Sequence, residues 1–389
     1  MGRHSLPDDS TPHGTGSPRA PRPRARRRTA AIATAIAVTA VAGSIVALRG
    51  GLLPFGRSCG GDSVRLEVVA SPDVAPALEE VAGQAREDGI RSDGKCLDVT
   101  VNAQPASEVA DALAGRPADP AFQVWVPDSR LWVDRVTDER GSSLTAVGTL
   151  ASSPIVLGAV PSAAKSLGWP SRTYSWTGLT GAAATGDGLR LGVADPAHSA
   201  TGLLALARIG AADRKEAGSR SAAATRTAAA AKLLSERVVD GDGQVLATLP
   251  RDGSGAEAGN PRRNQALLLS EQAAYAHNTH RGGGPALDLF YPADGTAQLD
   301  YPYTLVDDAS MTADQSRAAN RFLTLVADTA GQRILRDHGF RSDTGRADSR
   351  LTTVAGGRDP QPYTAVADDP PPAGDLKALL GIWTTATTR

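Results

Sequence analysis

The chain has 389 residues, a formal net charge of −1 and 41% apolar residues, enough for two domains or one large bilobal globular unit. The charge is uneven: residues 1–28 hold seven Arg against two Asp, so the remainder is mildly acidic. A body without a basic stripe carries no electrostatic footprint for nucleic acid.

Residues 1–28, rich in Pro, Arg and Ser, read as a disordered basic tail. Thr29 to Leu48 carries no charge. At helical rise it spans about 30 Å, one hydrocarbon core. Arg26, Arg27 and Arg28 before it orient the tail to the cytoplasm and the rest of the chain outside the cell, as a single-pass membrane protein. A signal peptide cleaved at Ala40-Val41-Ala42 competes with this anchor, but the apolar run continues past that site. Cys59 is preceded by Arg57 and Ser58, a poor lipoprotein box. Residues 49–62 form a linker. Outside the cell the two cysteines, Cys59 and Cys96, pair more readily as a disulfide than as a reactive or metal-binding couple.

A strand-then-helix alternation follows, predicting an α/β fold. Val64 to Val69 reads as a strand, and Ser71-Pro72 as the cap of a helix carrying Val74, Leu78 and Val81. Leu97–Val101 and Phe122–Val126 are further strands, with a short helix at 109–113 between them. Ile155–Leu157 is an apolar strand behind Ser152-Ser153, and 174–178 a small helix. Leu191–Ala194 runs as a strand into Asp195-Pro196, where a helix opens at Ser199, Thr201 and Gly202. Hydroxyls and bare N–H groups at such a start suit an anion or another electron-rich ligand, and equally suit an ordinary N-cap. Ala222–Glu236 and Gln265–Ala276 read as helices, and 287–290 and 303–306 as late strands. Thr312 and Gln315 make a capping box, Thr329 and Gln332 repeat its signal, and Gly339 ends that helix. Residues 355–375 read as linker.

Enzyme signatures are absent: no GxxxxGK[ST], no GxGxxG after a strand, no GxSxG elbow and no HExxH. His277 and His280 share a helix face without an evident third metal ligand, so neither metal nor cofactor is expected.

The segments ASPDVAPAL (70–78), FQVWVPDSRLW (122–132), SSPIVL (152–157), LGVADPAHSATG (191–202), LDLFYPADGTAQLDYPYTLV (287–306) and RAANRFLTLVADTAGQRILRDHGFR (317–341) together resemble the type II periplasmic solute-binding proteins of transporters. The resemblance implies a bilobal α/β fold with mixed sheets and a two-crossing hinge. One lobe takes 63–151 and 299–354, the other 152–298, and 355–389 is an extension. Ligands of open α/β sheets sit off the carboxyl ends of the strands. The cleft residues expected are therefore Ser71, Asp128, Ser152, Ser153, Asp195, Ser199, Thr201 and Gly202, with Tyr291 and Tyr301 flanking the second crossing.

More narrowly, MGRHSLPD at the N-terminus, the basic run before the anchor and GGRDPQPY (356–363) are similar to an actinobacterial group that joins such a module to a von Willebrand factor type A domain. No type A domain with a DxSxS site follows Trp383, so metal-dependent adhesion is not carried over. The expected protein is a non-catalytic, membrane-anchored extracytoplasmic module binding a small polar or anionic solute. The alternative is a surface module with a vestigial cleft and a protein partner.

Overall fold

Val64, Leu66 and Val68 alternate with Arg65 and Glu67, which turns one face of β1 (Ser63–Ala70) into a core. The computed structural model describes Cys59 and residues 61–115, 120–140, 144–185, 189–280, 282–307, 309–342, 345–354 and 373–388. The expected tail, membrane span and most of both linkers lie outside these residues. Among the described residues no helix is long and apolar enough to cross a membrane.

After β1 come α1 (Ala75–Glu87), β2 (Arg91–Ser92), β3 (Lys95–Ala103), α2 (Ala106–Gly115), β4 (Val124–Val126), α3 (Arg130–Arg140) and β5 (Leu144–Thr149). The chain then builds a second sheet from β6 (Ser153–Ala159), β7 (Leu191–Ala194), β8 (Val238–Val239), β9 (Ala266–Ser270), β10 (Asp288–Phe290) and β11 (Gln298–Leu299). Its helices are α4 (Pro161–Ser166), α5 (Trp176–Ala184), α6 (Ala200–Glu216), α7 (Arg220–Ser235), α8 (Asp242–Val245), α9 (Gly255–Ala258) and α10 (Glu271–His280). β12 (Pro302–Val306) returns to the first sheet, followed by α11 (Ala313–Ala327), α12 (Thr329–Asp337), α13 (Ser349–Val354) and α14 (Ala373–Thr387).

The first sheet runs β2-β3-β1-β4-β12-β5 and the second β10-β6-β9-β7-β8, with β11 also on β6. Both are mixed: β1 is parallel to β3 and β4, while β12 is antiparallel to β4 and β5. In the second sheet β7 is parallel to β8 and β9, and β6 antiparallel to β9 and β10. The result is a bilobal α/β fold. The connections between the sheets lie side by side. Leu150 N–H donates to Tyr301 O at 3.1 Å, and Ser152 and Arg341 exchange backbone bonds of 3.2 and 3.0 Å.

Several expectations change. Gln265–Ala276 is a strand and then a helix: Ala266 to Ser270 is buried on both faces between β6 and β7, so its apolar run satisfies a central strand. Ser71 does not cap α1 with its hydroxyl; the turn 72–74 intervenes, Val74 is the N-cap and Pro76 opens the first turn. The Thr312–Gln315 capping box is present. The second helix start belongs to Asp328, whose carboxylate accepts from Ala330 and Gly331 N–H, because a carboxylate one residue earlier reaches both orphan donors. Gly339 then leaves the helix at φ +88°, where a Cβ would strike the Tyr275 ring.

Beyond Arg341, α13 packs on α10. The last part of the expected linker is helical, since α14 buries Leu379, Trp383 and Ala386 against α6 and α7. The disulfide Cys59–Cys96 is formed, with Cα atoms 5.7 Å apart, and holds the start of the body to β3.

Candidate functional site

Tyr301 stands where the chain re-enters the first sheet, at φ +36°, a conformation that side chains rarely adopt. Its N–H donates to Asp128 O at 3.3 Å, and its ring is buried edge-on to Phe340, 5.0 Å between centroids. These contacts fix the hydroxyl, which donates to Asp73 Oδ2. Burial, then the Asp73 charge, hold the phenol well above its ordinary pKa, so it is a proton donor.

Asp73 lies on the turn between β1 and α1, its Oδ1 accepting Val74 N–H at 3.0 Å. Burial raises its pKa, and the Tyr301 hydroxyl and Ser71 oppose that rise. Ser71 Oγ lies against this carboxyl but makes no hydrogen bond of ordinary geometry, although the residue is only 3% exposed. Asp128 follows β4 and accepts Trp132 Nε1–H at 2.8 Å. Burial, then the charges of Asp73 and Asp242, push its pKa well above the usual carboxylate range.

From the second lobe comes the start of α6. Ser199 is its N-cap, its Oγ accepting Gly202 N–H at 3.0 Å. The hydroxyls of Ser199 and Thr201 lie near the Asp242 carboxyl, at the start of α8, and favour its charged form. The anion drawn to this helix start is thus the protein's own carboxylate. Burial still pushes Asp242 up to about 6 against those hydroxyls, and Asp73 adds to the rise. Asp73 and Asp128 of one lobe and Asp242 of the other therefore meet within electrostatic reach.

Ser71, Asp128 and Tyr301 stand on the first-lobe side of this group of carboxyls, and Ser199 and Thr201 stand beside Asp242 on the other. The other sequence candidates stand elsewhere. Ser152 pairs with Arg341 at the crossing, and Ser153 Oγ accepts Gln272 N–H at 3.0 Å, starting α10. Asp195 Oδ1 accepts from Ala197 N–H at 2.9 Å and Trp383 Nε1–H at 2.7 Å. Gly202 packs under β7, where a Cβ would come 2.2 Å from Ala194 O. Tyr291 donates to Glu271, which is fully buried with Arg341 (Nε to Oε2 2.6 Å, Nη2 to Oε1 2.7 Å).

Two residues of the cluster were not among the candidates. Asp73 sits two positions past Ser71 and reads as turn chemistry. Asp242, in Gly241-Asp242-Gly243, reads as a loop, and only the β7–β8 pairing carries it to α6. His277 Nε2 pairs with Pro285 O at 3.0 Å and His280 Nδ1 with Ala276 O at 3.2 Å. No three His, Cys, Asp or Glu among the described residues converge as a metal-ligand set.

The sequence profile of the bacterial extracellular solute-binding proteins matches residues 66–341. No curated protein matches the sequence. Iron-bound HitA from Pseudomonas aeruginosa superposes with a TM-score of 0.56 at 13% identity, over 83% of this chain and 99% of that one. A periplasmic thiamin binding protein gives 0.58 at 11%, over 84% and 97%. The ferric binding protein from Campylobacter jejuni gives 0.55 at 14%, over 82% and 99%. At such identities the likeness is one of fold.

Proposed function

The chain belongs to the bacterial extracellular solute-binding protein family, and we propose that it holds a small polar solute between its lobes, at Ser71, Asp73, Asp128, Ser199, Thr201, Asp242 and Tyr301. The family is one of binding proteins, not enzymes. What supports the reading is that polar groups of both lobes lie within electrostatic reach of one another beside the crossing at Tyr301. Buried polar groups facing one another across two lobes are costly unless a ligand or water pairs them. Closure on a solute supplies those partners, and the open–closed balance then shifts by the solute's differential affinity.

The charge of the site weighs against an anion. The main influences on the three carboxyls are burial, one another and neutral donors, with no cation among them. We further propose that Thr29–Leu48 anchors the module to the membrane, with the body outside the cell.

A thermal-shift panel on the full chain tests solute binding, with ferric iron, thiamin, sulfate, sugars, amino acids and polyamines as probes. At least one should raise the melting temperature saturably, and Asp128→Asn should remove that response. A flat response to every class overturns the proposal. For the anchor, protease added to intact cells should digest the body and spare residues 1–28; digestion of the tail as well overturns it.

A further inference from the structure

We propose that the solute of this cleft is an organic cation with several N–H donors, an ammonium or guanidinium compound, held between Asp73 and Asp128 of one lobe and Asp242 of the other. This rests on the solute-binding reading above and adds the chemical class.

Three observations carry it. The first is the sign of the site. The ionisable groups that influence one another here are three carboxyls and a phenol, and the phenol of Tyr301 donates to Asp73. Gathering carboxylates in an enclosed place costs free energy through lost hydration and mutual repulsion. A cationic ligand removes both penalties at once, whereas an anion adds to them.

The second is Ser71. Its hydroxyl oxygen is buried at the carboxyl end of β1, beside Asp73, and makes no hydrogen bond of ordinary geometry. A buried polar atom without a partner in a native fold points to a group that arrives from outside. A serine hydroxyl both donates and accepts, so the sign of that group is set by the carboxyls beside it.

The third is the spacing. No three acidic or His side chains among the described residues converge on one point as metal ligands do. A single metal ion needs its donors within about 2.0–2.6 Å of one centre. Carboxyls that influence one another without converging suit a ligand that spreads its positive charge and its donors over several atoms. Ammonium groups on a chain, or a guanidinium with five N–H donors, do this.

The test is isothermal titration and thermal shift on the full chain at pH 7.5. The probes are putrescine, spermidine, agmatine and arginine, set against sulfate, molybdate, glucose, calcium and ferric iron. At least one amine or guanidine should bind saturably while the other probes do not. Asp242→Asn, which keeps the shape and one acceptor oxygen of the side chain and removes the charge, should weaken that binding about tenfold or more. Circular dichroism of the variant should match the parent, so that weakening reports the charge rather than misfolding.

Binding of sulfate, molybdate, glucose or a bare metal ion in place of the amines overturns the cationic class and leaves solute binding standing. Amine binding that Asp242→Asn leaves unchanged also overturns it. Silence of every probe overturns the solute-binding reading and this inference together.

Discussion

Trp383 donates its indole N–H to the Asp195 carboxylate at 2.7 Å, tying α14 to the turn that opens α6. Asp195 Oδ1 also accepts Ala197 N–H, so one oxygen organises the turn and receives the helix. Ser199 and Thr201 follow within six residues, which places the C-terminal helix one step behind the cluster.

Trp383 is 2% exposed, so Trp383→Phe keeps much of the apolar packing and removes the N–H. A hydrogen bond to a charged acceptor contributes about 1.5–3 kcal/mol. Urea denaturation should show a loss of about 2 kcal/mol. Hydrogen exchange should quicken at 195–202, and unchanged protection there would mean that α14 does not steady the turn.

The pH dependence of stability follows from Asp242. Its pKa is about 6 in the fold against 3.8 for the free group, so the folded state binds the proton more tightly. That stabilisation is complete below 3.8 and is lost as pH rises through 6. A pKa difference of this size corresponds to about 3 kcal/mol. Asp73 and Asp128 shift the same way. The melting temperature of the unliganded protein should therefore rise between pH 7.5 and 5, and Asp242→Asn should raise it at pH 7.5 and flatten the curve. A parent curve that falls over this interval contradicts the assignment.

Glu271 and Arg341 form an ion pair with no exposed side-chain surface, joining α10 to the segment that pairs with Ser152. Removing one partner strands a buried charge, at a cost of about 3–5 kcal/mol. Arg341→Met alone should lose that much in urea titration, while Glu271→Met/Arg341→Met should lose less. A double variant no more stable than the single one rules out the stranded charge as the cause.

Gly202→Ala sets a methyl 2.2 Å from Ala194 O, and both atoms are on backbone that cannot rotate away. α6 must shift from β7, at about 1–3 kcal/mol. Ser199→Ala removes only the cap and should cost about 1 kcal/mol. If calorimetry ranks Ser199→Ala as the more damaging, the close approach is not what holds α6 in place.

Local grammar was readable in this chain wherever a side chain acts on its own neighbourhood. The alternation in β1, the Ser199 cap, the Thr312–Gln315 box and the turn at Gly339 need only residues a few positions apart. The Leu267–Leu269 run has no period of its own, so it reads as helix together with the residues after it; burial on both sides makes it a strand. Ser71, Asp128, Ser199, Thr201 and Tyr301 are legible as candidates because strand ends and crossings are marked by Pro, Asp and Ser.

The sign of the site was not readable. Ser199 and Thr201 look like an anion cradle until Asp242, some forty residues on, is carried back to them by β8 pairing with β7. Asp73 looks like a turn residue until Tyr301, brought by the return crossing, donates to it. Composition, periodicity and capping thus account for the α/β alternation and for the strand ends that line the proposed cleft. Its charge arises from carboxyls distant in sequence that the two sheets draw into one enclosed place, because electrostatic energy depends on separation in space and on burial, and neither is a property of a residue's neighbours in the chain.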